Sequence, residues 1–168
     1  MRLRWPKPRR RSAIWLTGAL LLAAAVTVSL LIRQDCGQPP LPTGQLLVGD
    51  TWLTVEIAEE PAERAAGLSK RCGLVEGQGM VFLFGQPTQT SFWMKEMRFP
   101  LDIVWITGRR IVQIDADVPA PAPGEEPAIV TPWRPVDTVL EVPAGYAAKQ
   151  GWRLGMDTAL RLPAVGPE

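Results

Sequence analysis

The chain has 168 residues, of which 46% are hydrophobic and 21% are charged, a composition typical of a globular body and not of a disordered one. It contains no histidine and only two cysteines, which excludes the common histidine-based catalytic sites and the standard zinc sites. Seven of the 18 basic residues but only one of the 17 acidic residues lie before residue 40. The remainder therefore has a formal charge of about −5, which argues against a nucleic-acid partner.

Residues 13–32 form an uncharged apolar stretch, AIWLTGALLLAAAVTVSLLI. A membrane-spanning helix needs about 20 such residues. The preceding residues 1–12 are rich in arginine and lysine, and the positive-inside rule places such a tail in the cytoplasm. We therefore expect a single-pass anchor in the cell membrane, with the body in the periplasm or outside the cell.

A cleaved signal peptide, followed by secretion, is the alternative to an anchor. Its apolar region usually has about 7–15 residues and ends in small residues before the cleavage site. Here the apolar run is longer and continues into SLLIRQDC, which favours an uncleaved anchor. Residues 33–44 are polar and contain prolines, as in a linker, and residues 45–168 are predicted to form a single exported domain.

The first half of this domain is predicted to consist of short strands around one helix. Residues 45–58 contain a Gly-Asp turn between two strand-like runs. Pro61 suits the first position of a short helix that we expect to end near residue 70 or 71. The run at 79–84 is apolar on both faces, as in a covered central strand, and residues 101–116 contain two strand-like runs around a Gly-Arg turn.

The second half alternates between a loop, strands and a second helix. Prolines in residues 118–135 predict a long irregular loop. Strands are predicted at 138–142 and 158–162, with a short helix between them that ends at Gly151. The sequence thus predicts an α+β domain, mostly β, in which short strands form a small curled sheet or half-barrel with two short helices, plus the N-terminal transmembrane helix.

Four segments in this order and spacing resemble a known family: ERAAGL (63–68), GMVFLF (79–84), FWMKEMRFPLDIVWI (92–106) and VLEVPAG (139–145). The family is the one known as domain of unknown function 192, and the resemblance covers about residues 46–163. It implies a mostly β single-domain protein that is often exported or membrane-anchored and has no established activity. The chain departs from the family pattern at Ser69, where methionine is usual, and at Glu96-Met97, where Asn-Thr is usual.

Charged residues within these apolar segments indicate a polar site. Asp102 and Glu141 lie in strand-like runs among aliphatic residues, where a carboxylate is costly unless it is hydrogen-bonded or paired with a cation. The cations in nearby motifs are Arg64, Arg71 and Lys95. We expect Glu141 to be at least partly buried and held by Arg71 or Lys95, and we expect Lys95, Asp102 and Glu141 to share one site.

The charged groups leave three interpretations open. They can be structural ion pairs that fix strand register, they can form a pocket that a ligand completes, or they can face solvent, as we expect for Glu96 and Arg98. Trp93 is a candidate wall of the pocket, and Trp133, in the proline-rich loop, is a second candidate contact residue. Cys36 and Cys72 either form a disulfide or are unrelated thiols.

These features predict a membrane-anchored extracytoplasmic domain that binds a small polar or envelope-derived ligand, such as a glycan, or a partner protein of the cell envelope. We expect binding rather than catalysis, and neither a metal nor a cofactor. The alternative function is a hydrolase in which Asp102 and Glu141 act as acid and base on an envelope glycan. A purely structural role is the third possibility.

Overall fold

The structure is a computed structural model that describes residues 37–162 of the chain. The predicted tail at 1–12 and the predicted anchor at 13–32 lie outside the described residues. Within residues 37–162, no helix is long and apolar enough to cross a membrane.

Nine strands and two short helices make up the described part of the chain. The strands are β1 (Thr43–Val48), β2 (Thr51–Ala58), β3 (Gln78–Thr88), β4 (Phe92–Trp93), β5 (Leu101–Thr107), β6 (Arg110–Val118), β7 (Ile129–Val130), β8 (Val136–Pro143) and β9 (Thr158–Arg161). The helices are α1 (Pro61–Ala66), between β2 and β3, and α2 (Tyr146–Lys149), between β8 and β9.

Seven of the strands form one sheet in the order β6-β5-β8-β3-β2-β1-β9. Only β2 and β3 are parallel neighbours, because α1 carries the chain across between them. The two edges of the sheet meet. The amide of Ile111 in β6 donates to the carbonyl of Met156 at 3.0 Å, and the amide of Thr158 in β9 donates to the carbonyl of Arg109 at 2.7 Å. The sheet is therefore curled into a barrel-like body, as predicted.

Side chains from the two faces of this sheet form two apolar clusters. The first, which we call the barrel core, draws residues from every strand of the sheet and from α2; among its members are Leu46, Leu53, Val55, Val81, Val104, Ile106, Ile111, Leu140, Val142, Tyr146 and Ala147. The second, which we call the outer cluster, lies on the other face of β3, β5 and β8 and includes Leu68, Met80, Phe82, Met94, Met97, Leu101, Ile103, Trp105 and Val139. Alternation along each strand decides which cluster a residue joins.

Two predicted elements differ from those observed. Helix α1 ends at Ala66, because Gly67 adopts a φ of 50° and turns the chain, so it is shorter than predicted. The loop at 118–135 is not irregular throughout, because β7 within it pairs with β4 in a separate two-stranded sheet. Each of these strands has two residues, too short to show a periodic pattern in the sequence.

Candidate functional site

A cavity of about 160 Å³ lies on the outer face of the sheet. Helix α1 and the turn after it form one wall, residues 92–97 form another, and β3 and β8 form the floor. Its lining includes Arg64, Leu68, Phe82, Phe92, Lys95 and Glu141.

The side chain of Glu141 is the unusual feature of this cavity. Glu141 is only 6% exposed, and its register partners on the neighbouring strands are Met80 and Ile103, both fully buried. Its Oε2 atom has no hydrogen-bond partner among the residues that the structure describes. Burial raises the pKa of the carboxyl from its ordinary value of 4.5 to about 8. At neutral pH the group is therefore mainly protonated and can donate a hydrogen bond.

The cations predicted to hold Glu141 have other partners. Arg71 forms a two-pronged ion pair with Glu56, with N–O distances of 2.8 and 2.7 Å. The Nζ atom of Lys95 lies 4.9 Å from the centre of the Trp93 ring, a cation–π contact at the mouth of the cavity. The prediction that Arg71 or Lys95 holds Glu141 as a structural ion pair is therefore wrong, although Glu141 is buried as predicted. Lys95 lines the same cavity as Glu141, whereas Arg71 does not.

Asp102 does not share this site. Antiparallel register places Asp102 opposite Val142 and Ile103 opposite Glu141, so the two carboxyl groups point to opposite faces of the sheet. On the barrel-core side, the Asp102 carboxylate accepts hydrogen bonds from three backbone amides: Asp117 at 2.9 Å, Gly145 at 3.0 Å and Ala147 at 2.9 Å. The last two amides begin α2, so Asp102 caps that helix from a neighbouring strand. The predicted common site of Asp102 with Glu141 and Lys95 is wrong.

Arg64 lies on α1 and lines the cavity. One of its terminal nitrogens donates to the carbonyl of Glu59 and, at 3.0 Å, to the carbonyl of Leu83. Its guanidinium carbon lies 5.1 Å from the centre of the Phe84 ring. These contacts hold the guanidinium in place. The pKa of the neighbouring Glu63 carboxyl is lowered by hydrogen bonds from the Glu60 and Glu59 amides and, less strongly, by the charge of Arg64.

The rim of the cavity contains strained backbone. Lys70 and Glu96, both exposed, adopt left-handed conformations with φ of 62° and 58°. The Lys70 amide donates to the Glu96 carbonyl at 3.0 Å, and their side chains form an ion pair at 3.4 Å. Such conformations cost about 1–3 kcal/mol and cluster at binding sites. Glu96 is thus exposed, as predicted, but it also lines the cavity mouth.

A second cavity of about 260 Å³ adjoins the first. Arg64, Phe92 and Trp93 line both, and Phe84 and Ser91 line only the second. The Trp93 side chain is 55% exposed, which suits the predicted role as a wall. The two cavities together make a groove that runs from the buried Glu141 to the surface.

The other candidates lie elsewhere. Trp133 is 64% exposed and carries Arg134 over its ring at 3.9 Å, but it lines neither of the two cavities. Among residues 37–162, no three His, Cys, Asp or Glu side chains are grouped as metal ligands would be. Cys36 lies outside the described residues, so its pairing with Cys72 stays a prediction.

The sequence-based site omitted the apolar walls, Leu68, Phe82 and Phe92. Phe82 could have been identified, because two-residue alternation in β3 places it on the same face as Met80, the residue opposite Glu141. Leu68 lies in the turn after α1 and Phe92 in the two-residue strand β4, and both reach the cavity only through tertiary packing.

No curated protein of known function matches the chain. Two solved structures are similar to it. One, from Sinorhizobium meliloti 1021 and described as a candidate transcription regulator, has a TM-score of 0.66 and 30% identity, and the match covers 74% of this chain and 98% of that one. The other, a protein of unknown function from Novosphingobium aromaticivorans DSM 12444, has a TM-score of 0.64 and 27% identity, with 76% and 98% coverage.

The sequence model of domain of unknown function 192 (DUF192), described as an uncharacterized ACR family, matches residues 45–160. That span includes the whole curled sheet except the start of β1 and the end of β9, and it contains every residue named in the cavity lining. The chain therefore belongs to the domain of unknown function 192 family.

Proposed function

We propose that this protein is a membrane-anchored, non-catalytic domain on the outer side of the cell membrane, and that it binds a small polar ligand in the Glu141 cavity. The anchoring part of this proposal rests on the sequence. It is supported by the uncharged stretch at 13–32 and by the basic residues that precede it.

One observation carries the binding part. The Oε2 atom of Glu141 is buried at the cavity wall without a hydrogen-bond partner in the described part of the chain. Leaving a buried polar group unpaired costs about 1–3 kcal/mol, so native proteins rarely retain one without a role. A ligand in the cavity with a polar atom near Oε2 would complete the missing hydrogen bond.

The lining of the cavity supports the same function. Apolar side chains from the outer cluster form its walls, while Arg64 and Lys95 bring charge to its edge. Binding sites for small molecules typically combine such apolar walls with a few placed polar groups. Hydrolysis by an Asp102–Glu141 pair has no comparable support, because the two carboxyl groups lie on opposite faces of the sheet.

Filling the cavity should abolish binding. Ala66 lines the cavity from α1, and Ala66→Leu would place three additional carbon atoms there without disturbing the helix. We expect compounds from a library of small polar molecules to raise the melting temperature of the full chain but not that of Ala66→Leu. The measurement is a thermal-shift screen followed by calorimetric titration.

Ala62→Leu is the matched control, because Ala62 is exposed on the same helix and does not line the cavity. It should respond to the same compounds as the unmodified chain. If the active compounds stabilise Ala66→Leu as strongly as Ala62→Leu, they bind elsewhere and the proposed site is wrong.

The anchored topology has its own test. Protease added to intact spheroplasts that express the full chain should digest residues 45–168 and spare the basic tail at 1–12. Mature protein whose N-terminal sequence begins after residue 32 would indicate cleavage and secretion, and a body protected from protease would indicate the opposite orientation.

A further inference from the structure

The cavity's charges point to the chemical class of its ligand, an inference that rests on the proposed binding function. We propose that the Glu141 cavity takes a small monocarboxylate with an apolar body, its carboxylate directed at Glu141 and its body against the walls.

The charge balance of the lining favours an anion. In the described part of the chain, four charged or titratable side chains line the cavity: Arg64, Lys95, Glu96 and Glu141. Glu96 is neutralised by its ion pair with Lys70. Within residues 37–162, neither Arg64 nor Lys95 has a carboxylate within 4 Å. With Glu141 protonated at neutral pH, the lining therefore has an excess of positive charge.

Glu141 selects the type of anion. A buried carboxylic acid donates its proton to a carboxylate oxygen in a charge-assisted hydrogen bond, which is shorter and roughly twice as strong as a bond to a neutral acceptor. Phe82 on the floor and Leu68 on the wall are both almost fully buried, and the Ser69 hydroxyl in the lining already donates to the carbonyl of Ala66. One buried donor and apolar walls suit a carboxylate better than a phosphoryl group, whose additional oxygens would lack partners.

The volume limits the size of the apolar body. A dry protein cavity of about 150 Å³ holds one benzene molecule, and the first cavity here is about 160 Å³. An aromatic or short branched carboxylic acid fits this space. The adjoining cavity, reached past Phe92 and Trp93, leaves room for a longer substituent.

The experiment titrates the full chain, purified in a mild nonionic detergent, with benzoate, benzamide and phenylphosphonate at pH 7 and pH 9 in a calorimeter. Benzoate should bind more tightly than the other two. Its affinity should fall about tenfold between pH 7 and pH 9, because binding needs the protonated form of a carboxyl whose pKa is about 8. In Glu141→Gln, binding at pH 7 should weaken several-fold and should no longer change with pH.

Lys95→Met should weaken benzoate binding about tenfold. Lys149→Met is the matched control, since that exposed lysine pairs with Glu76 and does not line the cavity. The affinity of this variant for benzoate should stay unchanged. Equal affinity for benzoate and benzamide, with binding still blocked by Ala66→Leu, would overturn the carboxylate class but leave the proposed binding function standing. If phenylphosphonate binds more tightly than benzoate, the proposed ligand class is wrong and the cavity prefers phosphoryl groups. If benzoate does not bind at either pH, the inference is overturned.

Discussion

Glu141→Gln should make the fold more stable, by an amount that grows from almost nothing near pH 4.5 to roughly 5 kcal/mol above pH 8. The carboxyl keeps its proton up to about pH 8 in the folded chain, whereas in the unfolded chain it ionises near its ordinary pKa of 4.5. Between these values the folded state binds more protons than the unfolded state, so the stability of the unmodified chain falls as pH rises. Each pKa unit corresponds to about 1.4 kcal/mol.

Glutamine has nearly the same shape as glutamate and does not ionise. The fall in stability with rising pH is therefore absent in Glu141→Gln. Urea unfolding of both chains at pH 4.5, 6, 7, 8 and 9 measures the difference. Glu126→Gln provides the control, because Glu126 is exposed in the proline-rich loop and its removal should shift stability by less than about 0.5 kcal/mol at every pH. If the curves for Glu141→Gln and the unmodified chain run parallel across this pH range, the carboxyl is not buried in its neutral form.

A stabilising substitution at Glu141 would also bear on function. Residues that reduce stability persist where binding requires them, because activity and stability often compete at a site. The left-handed backbone of Glu96, which lines the same cavity, likewise costs stability. Both features are expected of a ligand site.

Asp102→Asn should destabilise the fold by about 3–5 kcal/mol. The Asp102 carboxylate is fully buried and accepts three backbone hydrogen bonds, so the substitution removes the negative charge and turns an NH₂ group toward at least one amide donor. Asp117 and Gly145 donate to one oxygen of the carboxylate and Ala147 donates to the other, so the NH₂ group of the variant leaves either Ala147 or the other two amides without an acceptor, and the start of α2 loses part of its cap. Equilibrium unfolding in urea, with hydrogen exchange at Gly145 and Ala147, measures both effects.

Asp137→Asn is the matched control for Asp102→Asn. Asp137 is half-buried and accepts one backbone hydrogen bond, from Gly108 in an exposed turn, so its substitution should cost no more than about 1 kcal/mol. If Asp102→Asn lowers the free energy of unfolding as little as this control does, the three hydrogen bonds accepted by Asp102 do not stabilise the fold. A large loss of stability in Asp102→Asn with cavity binding intact would support the separation of Asp102 from the Glu141 site.

Much of the fold could be predicted because its signals are local. The turns at Gly49 and Gly108 join adjacent strands, as the sequence indicated, since both glycines adopt the positive φ that a tight turn requires. Apolar runs and alternation located most of the strands, and the four segments that carry the family resemblance lie in α1, in β3, in β4 and β5, and in β8.

Part of the site could also be predicted. Arg64, Trp93, Lys95 and Glu141 were identified from the sequence, and all four line one cavity. Their residue types were informative, because a charged group or a tryptophan beside a strand of aliphatic residues either needs a partner or marks a surface.

Only the tertiary structure decided which groups meet. Asp102 and Glu141 look alike in sequence, yet the register between β5 and β8 directs one into the barrel core and the other into the outer cluster. A shift of one residue in that register would place Asp102 opposite Glu141 on the same face, and no single strand contains this information. Arg71 likewise pairs with Glu56, 15 residues earlier, because the crossover between the parallel strands β2 and β3 brings them together. The sequence by itself determined the local elements and the family, whereas long-range pairing decided which carboxyl group was left without a partner.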